Sequence, residues 1–173
     1  MKNSKKILNI LLIVNFILYL SFLTWTVLFK YVSPLEMLSP ERLHERVFHI
    51  IHYSDFLNNS FNDIMGSVIL YIPLGIFAVY IVRMRKFGQR LFAIFLLSLA
   101  FEIFKFIFAI GPSDVFEIIC NVLGGLLGIG IYVLLGMMFK NEEKVKSTMA
   151  ILMTVVMIFV PISMFLMVLR DNN

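Results

Sequence analysis

Five stretches of this chain have the length and composition of bilayer spans. They cover residues 7–29, 64–82, 91–110, 115–139 and 148–169. A helix rises about 1.5 Å per residue, so about 20 apolar residues cross the hydrocarbon core. Lipid offers no hydrogen-bond partner, so each run must bond its own backbone, which a helix does. Composition agrees: 60% of the 173 residues are hydrophobic and 15% are charged, whereas soluble domains average roughly 45–50% apolar. The expected fold class is all-α, a polytopic integral membrane helical bundle with five transmembrane helices. The first six residues are basic, as at the start of a signal peptide. The run that follows is too long for one and no small-residue cleavage site ends it, so it is read as a retained helix.

Basic residues orient the bundle, because cytoplasmic loops collect Lys and Arg. With the N-terminus inside, ten of the 15 fall on that side, at 2, 5, 6, 83, 85, 86, 90, 140, 144 and 146. Four fall outside, at 30, 42, 46 and 170, and Lys105 lies within a span. The expectation is a cytoplasmic N-terminus and an extracellular C-terminus. The net charge of +4 then belongs to the membrane pattern, and no nucleic acid partner is expected. The segment "RMRKFGQR" is a positive-inside loop against anionic lipid. Cys120 is the single cysteine, which rules out a disulfide framework or a cysteine zinc site within the chain.

Residues 30–62 form the one long connection, on the outer side. Ser39 as N-cap and Pro40 at the next position start a predicted helix there. Leu43, Val47, Ile50 and Ile51 share one face, and Arg42, Glu45, His49 and His52 lie mainly on another. That is the pattern of a short helix in the membrane interface, able to fold over a pocket mouth as a lid. His44, Glu45, His49 and His52 invite a metal reading, but the zinc-helix pattern needs His residues four apart with Glu beside the first. No metal and no cofactor are expected. The domain reading is a four-helix core over residues 1–140, with the loop 30–62, and an additional fifth helix over 141–173.

Polar side chains inside the spans are costly and mark function by default. On a helix over 115–139, Asp114, Glu117, Asn121, Gly124, Gly125 and Gly128 fall within a stripe about 100° wide. The glycines let a neighbouring helix approach closely. In the third span Ser98, Glu102, Lys105 and Ala109 share a face. The linker "GPSD" is short enough to make these two helices antiparallel neighbours. Asp63, Ser67 and Tyr71 share a face of the second span. The expected result is a polar pocket in the outer half of the membrane. In it Lys105 pairs with Glu102 three residues away, or with Glu117 across the helix interface. A purely adhesive role for these groups is the competing account. Pro73 and Pro161 are expected to bend their helices.

"YIPLGIF" in the second span, "FEIFKF" in the third and "DVFEIICNVLGGLLG" in the fourth together resemble the VanZ-like family, over about residues 5 to 140. The family pattern N-x-x-x-F-x-P-x-G is met by Pro73 and Gly75, with Tyr71 at the aromatic position and Ser67 where Asn is usual. Its E-x-x-Q is met by Glu102, with Lys105 in place of Gln. Its D-x-x-D-x-x-x-N-x-x-G is met by Asp114, Asn121 and Gly124, with Glu117 for the second Asp. The resemblance implies a bacterial cell-membrane protein and a link to resistance against teicoplanin, a lipidated glycopeptide.

Together these readings give one functional expectation. The pocket engages or modifies a lipid-linked or surface envelope component and so lowers susceptibility to lipoglycopeptides. Glu102, Glu117 and Asp114 are candidate catalytic groups. Lys105, Asn121, Ser67, Asp63 and Tyr71 are candidate binding groups, with Lys105 meeting an anionic headgroup such as a phosphate. Expected partners are membrane lipids and a lipid-linked envelope precursor or lipoglycopeptide. The alternative is a non-catalytic lipid-binding or lipid-translocating protein that uses the same groups as ligands.

Overall fold

The structure is a computed structural model that describes residues 2–29, 48–49, 60–80 and 86–171. Its helices are α1 (Lys2–Leu28), α2 (Ser60–Tyr80), α3 (Phe87–Phe108), α4 (Val115–Phe139) and α5 (Glu142–Asp171). Two short strands, β1 (Phe48–His49) and β2 (Ser113–Asp114), pair in parallel with Phe48 opposite Ser113 and His49 opposite Asp114. Among the described residues, the expectation of an all-helical chain is met but for this pair. Residues 48 and 49 were expected within the interfacial helix and are extended instead. The rest of that expected helix, the histidine cluster included, lies outside the described residues.

Among the described residues, three helical stretches are long and apolar enough to cross a membrane: Lys6–Leu28, Phe87–Phe108 and Val115–Phe139. The apolar part of α2 is shorter, at Met65–Tyr80, because the helix begins in the polar sequence "SFND". The burial pattern is that of a protein in lipid. On α3 the outward positions are Ile103, Phe104, Phe106 and Ile107, while Ser98, Glu102 and Lys105 are buried. On α4 Leu123, Leu126 and Leu127 face out, and Asn121, Gly124, Gly125 and Gly128 face in. Water would select the reverse order. Acyl chains accept it, since they solvate leucine and reject charge.

The chain divides into two compact units, residues 22–132 and residues 1–21 with 133–173. In the second of these, Leu12, Tyr19, Met149, Ala150 and Met153 are buried. Asn15 Nδ2 of α1 donates to Thr154 Oγ1 of α5 at 2.9 Å. The Thr154 hydroxyl itself donates to the Ala150 carbonyl at 2.8 Å. The turn into α5 is short: Lys140 takes a positive φ of 45°, and Asn141 Oδ1 caps the helix by accepting from the Glu143 N–H at 2.9 Å.

The larger unit holds Leu23, Tyr71, Ile76, Phe77, Ile94 and Phe101 in its core. Here α2 and α4 meet backbone to backbone. A Cβ at Gly75 would fall on the Gly125 carbonyl oxygen, and a Cβ at Gly128 would fall on that of Ile72. Only hydrogen fits at those positions, which is how small residues bring membrane helices together. A Cβ at Gly125 would press into Ile94 of α3, so three helices close around this level. Pro73 lies inside α2. It lacks the N–H that would otherwise bond the carbonyl one turn earlier.

Candidate functional site

Helix α3 ends in a Schellman-type turn. Ala109 takes the left-handed conformation, φ 50° and ψ 39°. The Ile110 N–H bonds the Lys105 carbonyl at 3.1 Å, and the Ala109 N–H bonds that of Phe106 at 3.4 Å. This closes off the last carbonyls of the helix and turns the chain back across its own final turns. Ser113 then donates its hydroxyl to the Glu102 carbonyl at 2.7 Å. The Asp114 N–H donates to Glu102 Oε2 at 3.0 Å.

Asp114 is the N-cap of α4, accepting the Phe116 N–H on Oδ1 at 2.8 Å. Glu117 stands three residues on, where a capping-box acid would fold back onto the N-cap N–H. Here that N–H is taken by Glu102 of the neighbouring helix. Glu117 is thereby released, and its Oε2 lies 2.9 Å from Lys105 Nζ. The same ammonium lies 2.7 Å from Glu102 Oε1. Both pairings expected for Lys105 therefore occur at once. Lys105 is 2% exposed and Glu102 4%, whereas the Glu117 side chain is 24% exposed. The triad opens outward through Glu117, with half-buried Asp114 beside it.

One helical turn away lies a second polar layer. Asn121 Nδ2 donates to Ser98 Oγ at 2.8 Å. Tyr71 of α2 brings its hydroxyl beside Ser98, within electrostatic reach of Glu117 and Glu102. All three residues are essentially inaccessible, at 0–1% exposure. Asn121 Oδ1 has no hydrogen-bond partner among the described residues, and the Tyr71 hydroxyl has Ser98 as its polar neighbour. Buried polar atoms are nearly always bonded, so the Asn121 oxygen stands out in this layer.

The structure brings together Glu102, Lys105, Glu117 and Asp114, with Asn121 and Tyr71 one layer on. Asn121 meets Ser98 rather than the ion triad. Ser67 is half-buried on α2, and no bond joins it to these groups among the described residues. The Asp63 side chain lies outside the described residues. Lys105, expected to meet an anionic headgroup, is enclosed by its two carboxylates. Glu102 has both oxygens engaged, whereas Glu117 and Asp114 each have one engaged among the described residues. Ser113 was not singled out from sequence. Its signal is a hydroxyl just before a predicted N-cap, where side chains commonly bond nearby backbone. In the other unit, a cleft of about 670 Å³ includes Ile7, Leu11, Asn141 and Lys146 in its lining, and none of the candidate catalytic or binding residues lines it.

The VanZ/LLP1 family model matches residues 16–140, a stretch that contains every residue of this site and ends before α5. Protein VanZ of Enterococcus faecium is 31% identical over 155 residues, covering 90% of this chain and 92% of that protein. No solved structure matches.

Proposed function

The chain belongs to the VanZ/LLP1 family, and from that premise we propose that it is a multi-pass protein of the bacterial cell membrane whose polar site engages a lipid-linked or surface component of the envelope. That engagement lowers susceptibility to teicoplanin and related lipoglycopeptides. The observation that carries the proposal is the buried Glu102–Lys105–Glu117 triad, at the end of one apolar helix and the start of the next. Three ionisable groups there are costly to keep only as adhesive, since an apolar interface of equal shape holds helices at least as well. With the N-terminus cytoplasmic and all five helices spanning, the triad lies at the outer leaflet.

Engagement without chemistry is the form the geometry supports best. A general base must be reachable by its substrate, and Glu102 is 4% exposed, with one oxygen on Lys105 and the other on the Asp114 N–H. An enzyme that modifies the headgroup would have to work through Glu117 or half-buried Asp114, whose Oδ1 alone is engaged, as the N-cap. The test is expression in a teicoplanin-susceptible host, comparing wild type with Glu117→Gln and Lys105→Met at matched membrane levels. Protection by wild type and its loss in both variants is the expected result. Full protection by both variants would remove the site from the function. Mass spectrometry of the host's envelope lipids separates the two forms, because an enzyme leaves a new lipid species and a binder does not. A reporter fused to the C-terminus, active outside the cell, checks the orientation.

A further inference from the structure

The apolar surfaces of α2 and α3 stop at different heights. Ile94 packs on Gly125, Ser98 bonds Asn121 and Lys105 bonds Glu117. So α3 and α4 run antiparallel, in a register that carries Phe108 about one turn beyond the first residue of α4. Phe104, Ile107 and Phe108 are exposed there. A Cβ on Gly124 would meet the Val68 carbonyl and the Tyr71 Cβ, and one on Gly128 the Ile72 carbonyl and the Gly75 Cα. So α2 and α4 run parallel, with Met65 level with Ile118 to Asn121. Met65 is exposed, and the polar sequence "SFND" that opens α2 lies just before it. Along the helix axes, the apolar surface therefore reaches about 10–15 Å further out on α3 than on α2.

A flat leaflet can satisfy only one of these sides. Set at the height of Phe108, it buries the polar start of α2 in acyl chains, which reject charge. Set at Met65, it leaves Phe104, Ile107 and Phe108 in water. A leaflet that is lower beside α2 satisfies both, and bilayers meet such mismatch by local thinning at modest cost. Glu117 stands on the low side. Gly124 and Gly128 follow it two and three turns on, each within about 20° around the helix, and both glycines touch α2. Glu117 thus shares the α2-facing stripe of α4, above the closest contact of the two helices and level with "SFND". Its side chain is 24% exposed, whereas Lys105 and Glu102 behind it are buried.

We propose that α2 draws the headgroup layer of this leaflet down to the height of Glu117, so that the site is entered sideways, through the headgroups beside α2, rather than from the solution above. This rests on the reading of the helices as bilayer spans and of the site as lipid-engaging, and it adds the route by which a lipid arrives.

The experiment measures depth at two lipid-facing positions of the full chain, with buried Cys120 replaced by Ala. Met65→Cys and Ile103→Cys, at residues 40% and 50% exposed, are labelled with a nitroxide in detergent and reconstituted into vesicles of phosphatidylethanolamine and phosphatidylglycerol. Power saturation of the nitroxide reads depth from its collisions with oxygen and with a water-soluble nickel chelate. Ile103 stands further out along the helices than Met65, so a flat leaflet makes the Met65 label the deeper of the two. A leaflet lowered beside α2 reverses the order and brings the Met65 label about 5–10 Å nearer the headgroups than the Ile103 label. Nickel carried on a lipid headgroup should then relax the Met65 label as strongly as the soluble chelate does. A Met65 label as deep as the Ile103 label, or deeper, overturns the proposal and leaves the spans in place. Relaxation by the soluble chelate alone shows water without headgroups and overturns it too. Few collisions with either reagent, the sign of a position sealed by protein, do the same. Full access of the soluble chelate to both labels removes the bilayer reading as well.

Discussion

Replacing Lys105 by Met removes the centre of the ion triad while keeping most of the side-chain volume. The two contacts, 2.7 and 2.9 Å long, correspond to about 6 kcal/mol of Coulombic attraction each at an effective dielectric of about 20. Desolvation of the ions, at several kcal/mol each, cancels much of that. What remains after the substitution is Glu102, 4% exposed, with its charge unbalanced. Breaking a buried pair from one side costs about 3–5 kcal/mol. Glu102→Gln alone should cost less, about 1–3 kcal/mol, because the amide oxygen still accepts the Asp114 N–H. In the double variant Lys105→Met/Glu102→Gln no unpaired Glu102 charge survives. Its total cost should therefore fall below the sum of the singles by about 1–3 kcal/mol. Unfolding by titration with a denaturing detergent, followed by far-ultraviolet circular dichroism, reads all four proteins. Additivity within about 0.5 kcal/mol would refute the account of a coupled, charged triad, as would a Lys105→Met protein as stable as wild type.

Other substitutions test the scaffold around the site. Gly75→Ala and Gly128→Ala each place a methyl on a carbonyl of the facing helix, so each should destabilise by about 1–3 kcal/mol, read by the same titration, whereas Gly130→Ala, with open space around it, should not. Asp114→Ala should cost about 1 kcal/mol through loss of the N-cap, and Asp114→Asn, which can still cap, should retain most of that in thermal unfolding. Ala109→Gly relieves a left-handed alanine and should raise stability by up to about 1 kcal/mol. An unchanged melting temperature for that variant would mean that the turn carries no such strain.

Three of the apolar runs and the polar stripe on α4 were legible because both depend on counting along a helix. Angle and rise place Asp114, Glu117, Asn121 and the glycines on one face, and the structure buries Asn121, Gly124, Gly125 and Gly128 there. The Lys105 partners were legible for a similar reason: one is three residues away and the other lies across a short linker. Which acid does what was not. Asp114 and Glu117 look equivalent in sequence, and their roles divide according to where α4 begins, a boundary that sequence places only to within a few residues. Once Asp114 is the cap, Glu117 is free to hold Lys105. The Asn121–Ser98 pair was missed because helical periodicity gives no crossing angle between two helices. The strand pair was missed because two residues carry no periodicity at all.

The pairing of residues 48–49 with 113–114 ties the long connection to the peptides that hold Glu102. Main-chain bonds do not read side chains. Residues 48 and 49 can therefore change in sequence and keep these rungs. Substitution at Phe48 or His49 is thus one route by which related proteins can vary this edge while the peptides at Ser113 and Asp114 keep their partners.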